Sequence, residues 1–226
     1  MYDSIIFDLD GTLWDAAETC AKGWNVALQE CGLDGVTVTA DDIRSVSGLP
    51  FHQCVSTLFS GQASLDIDKL SQVIDREETR HIKLYGGDLY SGVIDDIAEL
   101  SGMLPLFLIS NCQDWYLESF WELYKLRSYF GDSDCHGRSG ISKAEMIANM
   151  CQKHGLQRPI YIGDTGSDHR ASQAAGVAFG LADYGFGHTE GADQSFSSFD
   201  ELMTWCRKHS VSADEAVLSN EVVALL

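Results

Sequence analysis

From residue 92 onward, short apolar runs alternate with helix-spaced segments, and that alternation restricts the chain to few folds. The spacing predicts a helix over 92–101 and then a strand over 104–110, LPLFLIS. A helix near 114–125 follows, and after it a weakly written strand within 127–136. Next come a helix over 143–154, a strand at 159–163 (PIYIG), a helix over 168–175, a strand near 177–181 and a helix over 199–208. Alternation of this kind builds a parallel sheet covered by helices on both faces. The continuous apolar run at 4–8, with Ile5, Ile6 and Phe7, adds one more buried strand of the same type.

Residues 16–84 read differently, as helix throughout. Asp15-Ala-Ala-Glu18 has the form of a capping box. Ala17, Cys20, Ala21, Trp24, Leu28 and Cys31 recur at helical spacing, and Gly32 closes the run. Further helices are expected at 40–46, 51–59 and 66–84, and YGGDLYSG at 85–92 reads as a linker. The expected architecture is therefore α/β: a doubly wound parallel sheet formed by 1–15 and 86–226, interrupted by an all-helical cap domain at 16–85. A chain of 226 residues is long enough for one ordinary core with such an insertion. The segment 213–226 is expected to be helical.

The formal net charge is −19, which argues against nucleic acid or an anionic membrane as partner, since both require a basic face. A site for anions in this chain needs local positive charge, and a divalent cation is one way to supply it. Seven cysteines are scattered without a C-x-x-C pair, as expected for free thiols in a reducing cytoplasm. No signal peptide and no long apolar segment is apparent, so a cytoplasmic protein is expected, monomeric or weakly dimeric.

Doubly wound sheets bind ligands at the carboxyl ends of their strands. That rule points to Asp8–Thr12, Ser110-Asn111 and Gly163-Asp164. Asp8 and Asp10, two apart, point to the same side of an extended chain, and Gly11 permits a sharp turn after them. Two carboxylates held together repel, and a metal ion, a shared proton or a cation relieves the repulsion. On Asp-x-Asp-Gly alone, an ordinary Asp-capped turn reads the same way. Ser110 and Asn111 offer a hydroxyl and an amide to an oxyanion, or to the start of the next helix. Ser142 and Glu145 form a capping box that puts Lys143 at the first helical position, where an ammonium and a helix N-terminus suit a phosphate. Asp164 ends another strand, and Asp168 follows as either a further cluster carboxylate or a helix-start acid. Several carboxylates opposed by one lysine call for a hard cation with oxygen ligands, with Mg²⁺ the expected one.

In this order, DLDGTLWD, LISN, Lys143 and GDTGSD resemble the four motifs of the haloacid dehalogenase-like hydrolases. The resemblance covers the whole chain, including a helical cap after the first motif. GVAFGLADYGFG, and GLP at 48–50, resemble the phosphoglycolate phosphatase and phosphoglucomutase branch. The resemblance implies an Mg²⁺-dependent phosphatase acting on a small phosphorylated metabolite, phosphoglycolate-like or a sugar phosphate. Asp8 would attack phosphorus, giving an aspartyl-phosphate, and Asp10 would serve as acid and then base. Mg²⁺ would be held by Asp8, the Asp10 carbonyl and Asp164, with Gly11 and Thr12 in support. Ser110, Asn111 and Lys143 would hold the phosphoryl oxygens, and Asp168 would orient Lys143 or metal-bound water. Asp10 must then carry a proton when substrate binds, so its pKa is expected to be raised relative to Asp8, with the like charge of that neighbour pushing it up.

A phosphomutase of the β-phosphoglucomutase type shares these residues and stays as an alternative. A non-catalytic binding or regulatory module is the alternative of another class, and retention of Asp8 speaks against it. Asp10 speaks against a halide-releasing enzyme, which has no leaving alkoxide to protonate. In the cap, Arg44 is the candidate for a substrate carboxylate or second anion, with His52, Gln53 and Arg76 as further polar candidates. Trp14 either lines the cleft or packs at the hinge.

Overall fold

The computed structural model describes residues 2–61 and 65–209. The helix expected at 213–226 lies outside the described residues. Strand β1 (Ser4–Phe7) leads into the short β2 (Trp14–Asp15). Four helices follow: α1 (Ala17–Glu30), α2 (Ala40–Val46), α3 (Phe51–Leu58) and α4 (Ile67–Tyr85). The chain returns through β3 (Asp88–Leu89) to α5 (Val93–Met103), β4 (Leu106–Ser110), α6 (Asp114–Tyr124), β5 (Asp132–Cys135) and the short α7 (His136–Ser139). It ends with α8 (Lys143–His154), β6 (Pro159–Gly163), α9 (Gly166–Ala174), β7 (Ala178–Ala182), β8 (Gln194–Phe196) and α10 (Phe199–His209).

Six strands form one sheet in the order β5-β4-β1-β6-β7-β8, and every pairing in it is parallel. The fold is α/β, a doubly wound parallel sheet with an inserted all-helical cap. The central strands bury both faces. Ile5, Phe7, Leu106, Leu108, Ile160 and Ile162 pack into the larger core cluster. Their alternates Ile6, Phe107, Ile109 and Tyr161 pack with Met146, Ile147 and Met150 on the other side. This two-sided burial is why the strands read as unbroken apolar runs rather than alternating ones.

The cap is joined to the core by β2 and β3, which pair antiparallel, Trp14 opposite Leu89 and Asp15 opposite Asp88. A Cβ at Gly87 would lie 2.8 Å from Ala16, so the two connections run in backbone contact. Within the cap, α1 and α4 are similarly close. A Cβ at Gly23 would lie 3.0 Å from the Glu78 Cα.

Several expectations need correction. Asp15-Ala-Ala-Glu18 is not a capping box: α1 starts at Ala17 behind Ala16, without a side-chain cap. Asp15 instead lies in β2, accepting from the Ala17 amide with one oxygen and from Arg44 with the other. The strand sought in 127–136 is confined to Asp132–Cys135, after a 3₁₀ turn at Arg127–Tyr129. It is a polar edge strand, so the apolar signal is missing. Strands β2, β3 and β8 are too short to write a period. No helix among the described residues is long and apolar enough to cross a membrane, and all seven cysteines are free thiols.

Candidate active site

The carboxyl ends of β1, β4 and β6 lie side by side, so the residues that follow them share one edge of the sheet. Asp8 comes directly after β1 and Asp164 directly after β6, and both are buried. Asp168 sits in the first turn of α9, where Thr165 and Asp168 form a reciprocal capping box. Carboxylate oxygens of Asp8, Asp164 and Asp168 all lie within 4.8 Å of one another.

Lys143 reaches this cluster from the first turn of α8. The predicted capping box of Ser142 and Glu145 is present there and fixes the start of the helix. The Lys143 ammonium donates to Asp8 Oδ1 at 2.9 Å and to Asp168 Oδ1 at 2.6 Å, with all three side chains buried. Burial pulls the lysine pKa down, but the Asp168 and Asp8 charges outweigh it and hold the pKa well above its usual value. Burial likewise drives Asp8 well above the normal carboxylate range; Lys143 opposes the shift, and Asp168 and Asp164 add to it. Asp164 is pushed up to about 7, first by burial and then by Asp168.

The carboxylates differ in how fully they are used. Asp168 has no free oxygen: Oδ1 accepts from Lys143, and Oδ2 accepts from the Thr165 hydroxyl and amide. Asp164 Oδ2 accepts from the Phe186 amide at 2.7 Å, while its buried Oδ1 has no partner among the described residues. An orphaned carboxylate oxygen beside Asp8 fits a hard divalent cation, which takes such all-oxygen sets. Gly11 makes room for this arrangement. Its φ is +77°, and a Cβ there would fall 2.0 Å from Asp164 Oδ2.

Asp10 is held apart from the cluster. Its Oδ1 accepts from the Trp14 indole at 2.9 Å and from the Tyr116 hydroxyl at 2.7 Å. With two donors on Oδ1, a proton on this carboxyl belongs on Oδ2. Its pKa is raised to about 6. Burial is the main cause, opposed by Tyr116 and Trp14; repulsion by Asp8 is not what lifts it, and the expected rise relative to Asp8 is not seen, since burial raises both carboxyls. Trp14 therefore does more than pack at the hinge, and Tyr116 is a site residue that sequence reasoning missed. It is 106 positions away, with no spacing signal to connect the two.

Ser110 and Asn111 are buried at the end of β4. The Ser110 hydroxyl accepts from the Cys112 amide at 3.2 Å. The Asn111 side chain donates to the Gly48 carbonyl of the cap at 2.7 Å, and its buried Oδ1 has no partner among the described residues. Asn111 thus ties cap to core, a contact its place after β4 did not reveal. Thr12 is buried, its hydroxyl without a partner among the described residues and its carbonyl accepting from Tyr184. Arg44 is engaged elsewhere: it pairs with Asp15 at 2.8 Å and Asp41 at 2.7 Å and is absent from the cavity wall. His52 pairs with Asp68, and Arg76 with Glu30 and Glu77.

A cavity of about 80 Å³ lies between cap and core. Asp8, Asp10, Ser110 and Asn111 form part of its core side. Trp24, Leu49 and other apolar side chains form much of the cap side. It is large enough to take several waters or a small ester.

The acidic cluster, the buried lysine and the cavity all lie at the carboxyl edge of a doubly wound sheet, where such folds bind their ligands. The profile of the haloacid dehalogenase-like hydrolases matches residues 5–182, and the chain belongs to that family. Phosphoglycolate phosphatase of Aliivibrio fischeri is 27% identical over 201 residues, covering 82% of this chain and 86% of its own. Phosphoglycolate phosphatase of Chromobacterium violaceum is 27% identical, covering 88% and 94%. The crystal structure of CbbY from Rhodobacter sphaeroides in complex with phosphate superposes with a TM-score of 0.75 at 19% identity, covering 89% of this chain and 96% of that one. Within that family the chain is similar to phosphoglycolate phosphatases.

Proposed function

We propose that the protein hydrolyses a small phosphomonoester with Mg²⁺ through an aspartyl-phosphate on Asp8. The observation that carries this reading is the convergence of Asp8, Asp164 and Asp168 on one point, with Lys143 bonded to two of them. Asp8 and Asp164 would hold the ion, together with the Asp10 carbonyl. When bound, the ion neutralises charge on the phosphoryl oxygens and on the attacking carboxylate.

The chain's own groups divide the rest of the work. Asp8 lines the cavity and attacks phosphorus, and the ester oxygen leaves as the P–O bond breaks. Asp10 gives that oxygen the proton held on Oδ2, then takes a proton from the water that cleaves the acyl phosphate. Trp14 and Tyr116 keep Asp10 Oδ1 occupied and so fix which oxygen faces the reaction. Lys143 orients Asp8 through Oδ1 and supplies positive charge beside the transferring group. Asp168 positions Lys143. Ser110 and Asn111 contribute polar groups to the same wall. The cap excludes bulk water during the reaction.

Purified protein with p-nitrophenyl phosphate and Mg²⁺ tests the reading. Turnover that disappears in Asp8→Asn is expected. No turnover with any divalent cation, or full activity in Asp8→Asn, contradicts it.

A further inference from the structure

The cavity wall contains three carboxyls, Asp8, Asp10 and Glu78, and no lysine, arginine or histidine. Asp8 and Asp10 belong to the proposed chemistry. Glu78, on α4, does not. It is 7% exposed, Cys20 and Trp24 are the donors set beside its carboxylate, and among the described residues it makes no ion pair.

The local cations serve other acids. Arg76 and Arg80 both pair with the adjacent Glu77, at 3.0 and 3.7 Å. Arg44, the nearest cap arginine by sequence to the cavity wall, is held by Asp15 and Asp41. The close approach of α1 and α4 at Gly23 sets Glu78 beside Cys20 and Trp24. Among the described residues, the buried Trp24 indole N–H has no closer partner than Glu78. A buried carboxylate with no cationic partner is costly, and here it lines a cavity that a ligand can enter.

On the phosphatase reading above, we infer that Glu78 is a specificity residue: it receives a hydroxyl or ammonium carried by the leaving alcohol and disfavours a leaving group that bears a carboxylate. Phosphoglycolate carries such a carboxylate, and this cavity offers it Glu78 where a cation is required. The relatives' names therefore do not carry over to the substrate of this chain. The aromatic wall beside Glu78, with Trp24, Phe51, Trp115 and Tyr116, suits the carbon chain of a small alcohol or the face of an ammonium.

Matched esters test this at about pH 8 with Mg²⁺, where a free carboxylate is ionised. Phosphoglycolate, hydroxyethyl phosphate and phosphoethanolamine differ at one end of a two-carbon chain. Phosphoglycerate and glycerol phosphate form a three-carbon pair, and p-nitrophenyl phosphate is the reference. The expected kcat/KM for the hydroxyl or ammonium esters exceeds that of the carboxylate ester by roughly tenfold or more, because like charges in a desolvated site repel strongly. The hydroxyl and ammonium arms show which donor is preferred. In Glu78→Gln the ratio is expected to fall to roughly threefold or less. Wild-type ranking decides the matter even if the variant does not fold. Turnover of p-nitrophenyl phosphate with phosphoglycolate as the best ester overturns the inference alone, as does a ratio unchanged in Glu78→Gln. No turnover of any ester overturns the phosphatase reading and this inference with it.

Discussion

Lys143 Nζ lies 2.9 Å from Asp8 Oδ1, although the two residues are 135 positions apart. The bond joins the start of α8 to the end of β1 in a region with almost no solvent. Removing the ammonium leaves Asp8 and Asp168 facing each other uncompensated. Lys143→Met is expected to destabilise the metal-free protein by about 3–5 kcal/mol, the usual effect of breaking one side of a buried ion pair. It should also lower kcat/KM. Denaturant unfolding and steady-state kinetics check this; unchanged stability and unchanged kcat/KM would return Lys143 to a passive role.

Gly11→Ala places a methyl group 2.0 Å from Asp164 Oδ2, at a φ of +77° that L residues avoid. Asp164 must move. The expected result is roughly 10–100-fold weaker Mg²⁺ binding, the range seen when a ligand's support is lost. Calorimetric titration of Mg²⁺ measures it. An unchanged Mg²⁺ affinity would remove Asp164 from the ion site.

The first of these relationships was partly legible in the sequence. The capping box of Ser142 and Glu145 is a local pattern, and it placed Lys143 correctly at the start of α8. Asp8 and Asp164 were legible because an apolar run ending in an acid marks a strand end. Tyr116 and Glu78 were not. Tyr116 meets Asp10 only through the packing of α6 on the hinge, which no spacing encodes. Glu78 sits in the charge-rich stretch DREETRH, which reads as a solvated face. The signal that bears on it is Gly23, a helix-interior glycine whose missing side chain brings α4 against α1. Arg44, which precedes SVSGLP, reads as available because its partner Asp15 lies 29 positions away in β2, a strand too short to be read from the sequence.

Tyr116→Phe removes one of the two donors on Asp10 Oδ1. That bond favours the charged carboxylate, so its loss raises the Asp10 pKa above the present value of about 6. If Asp10 must be protonated to release the alcohol, the alkaline limb of kcat/KM moves to higher pH. A pH–rate profile of both proteins checks the direction. A limb that stays in place, or moves down, contradicts the acid role.

Glu78 gives a prediction about stability. Burial raises its pKa to about 7 from an ordinary 4.5, with Cys20 and Trp24 opposing the shift. Below 4.5 the folded and unfolded chains both hold the proton, and the residue has no effect on stability. As pH rises through this window the unfolded chain ionises first, so stability falls, by about 3 kcal/mol once the folded state has also ionised. Glu78→Gln lacks this dependence. The Tm of the variant minus that of the wild type is therefore expected to be larger at about pH 8 than at about pH 5. Parallel melting curves across that range would mean that Glu78 is not a buried carboxyl in solution.

The central claim is that Asp8 carries the phosphoryl group. Single-turnover mixing with a reactive phosphomonoester and Mg²⁺, quenched in acid and followed by peptide mass analysis, tests it most directly. The account predicts a transient phosphoryl mass on the peptide containing Asp8, absent in Asp8→Asn. A phosphoryl group on any other residue, or turnover by Asp8→Asn at the wild-type rate, would contradict it.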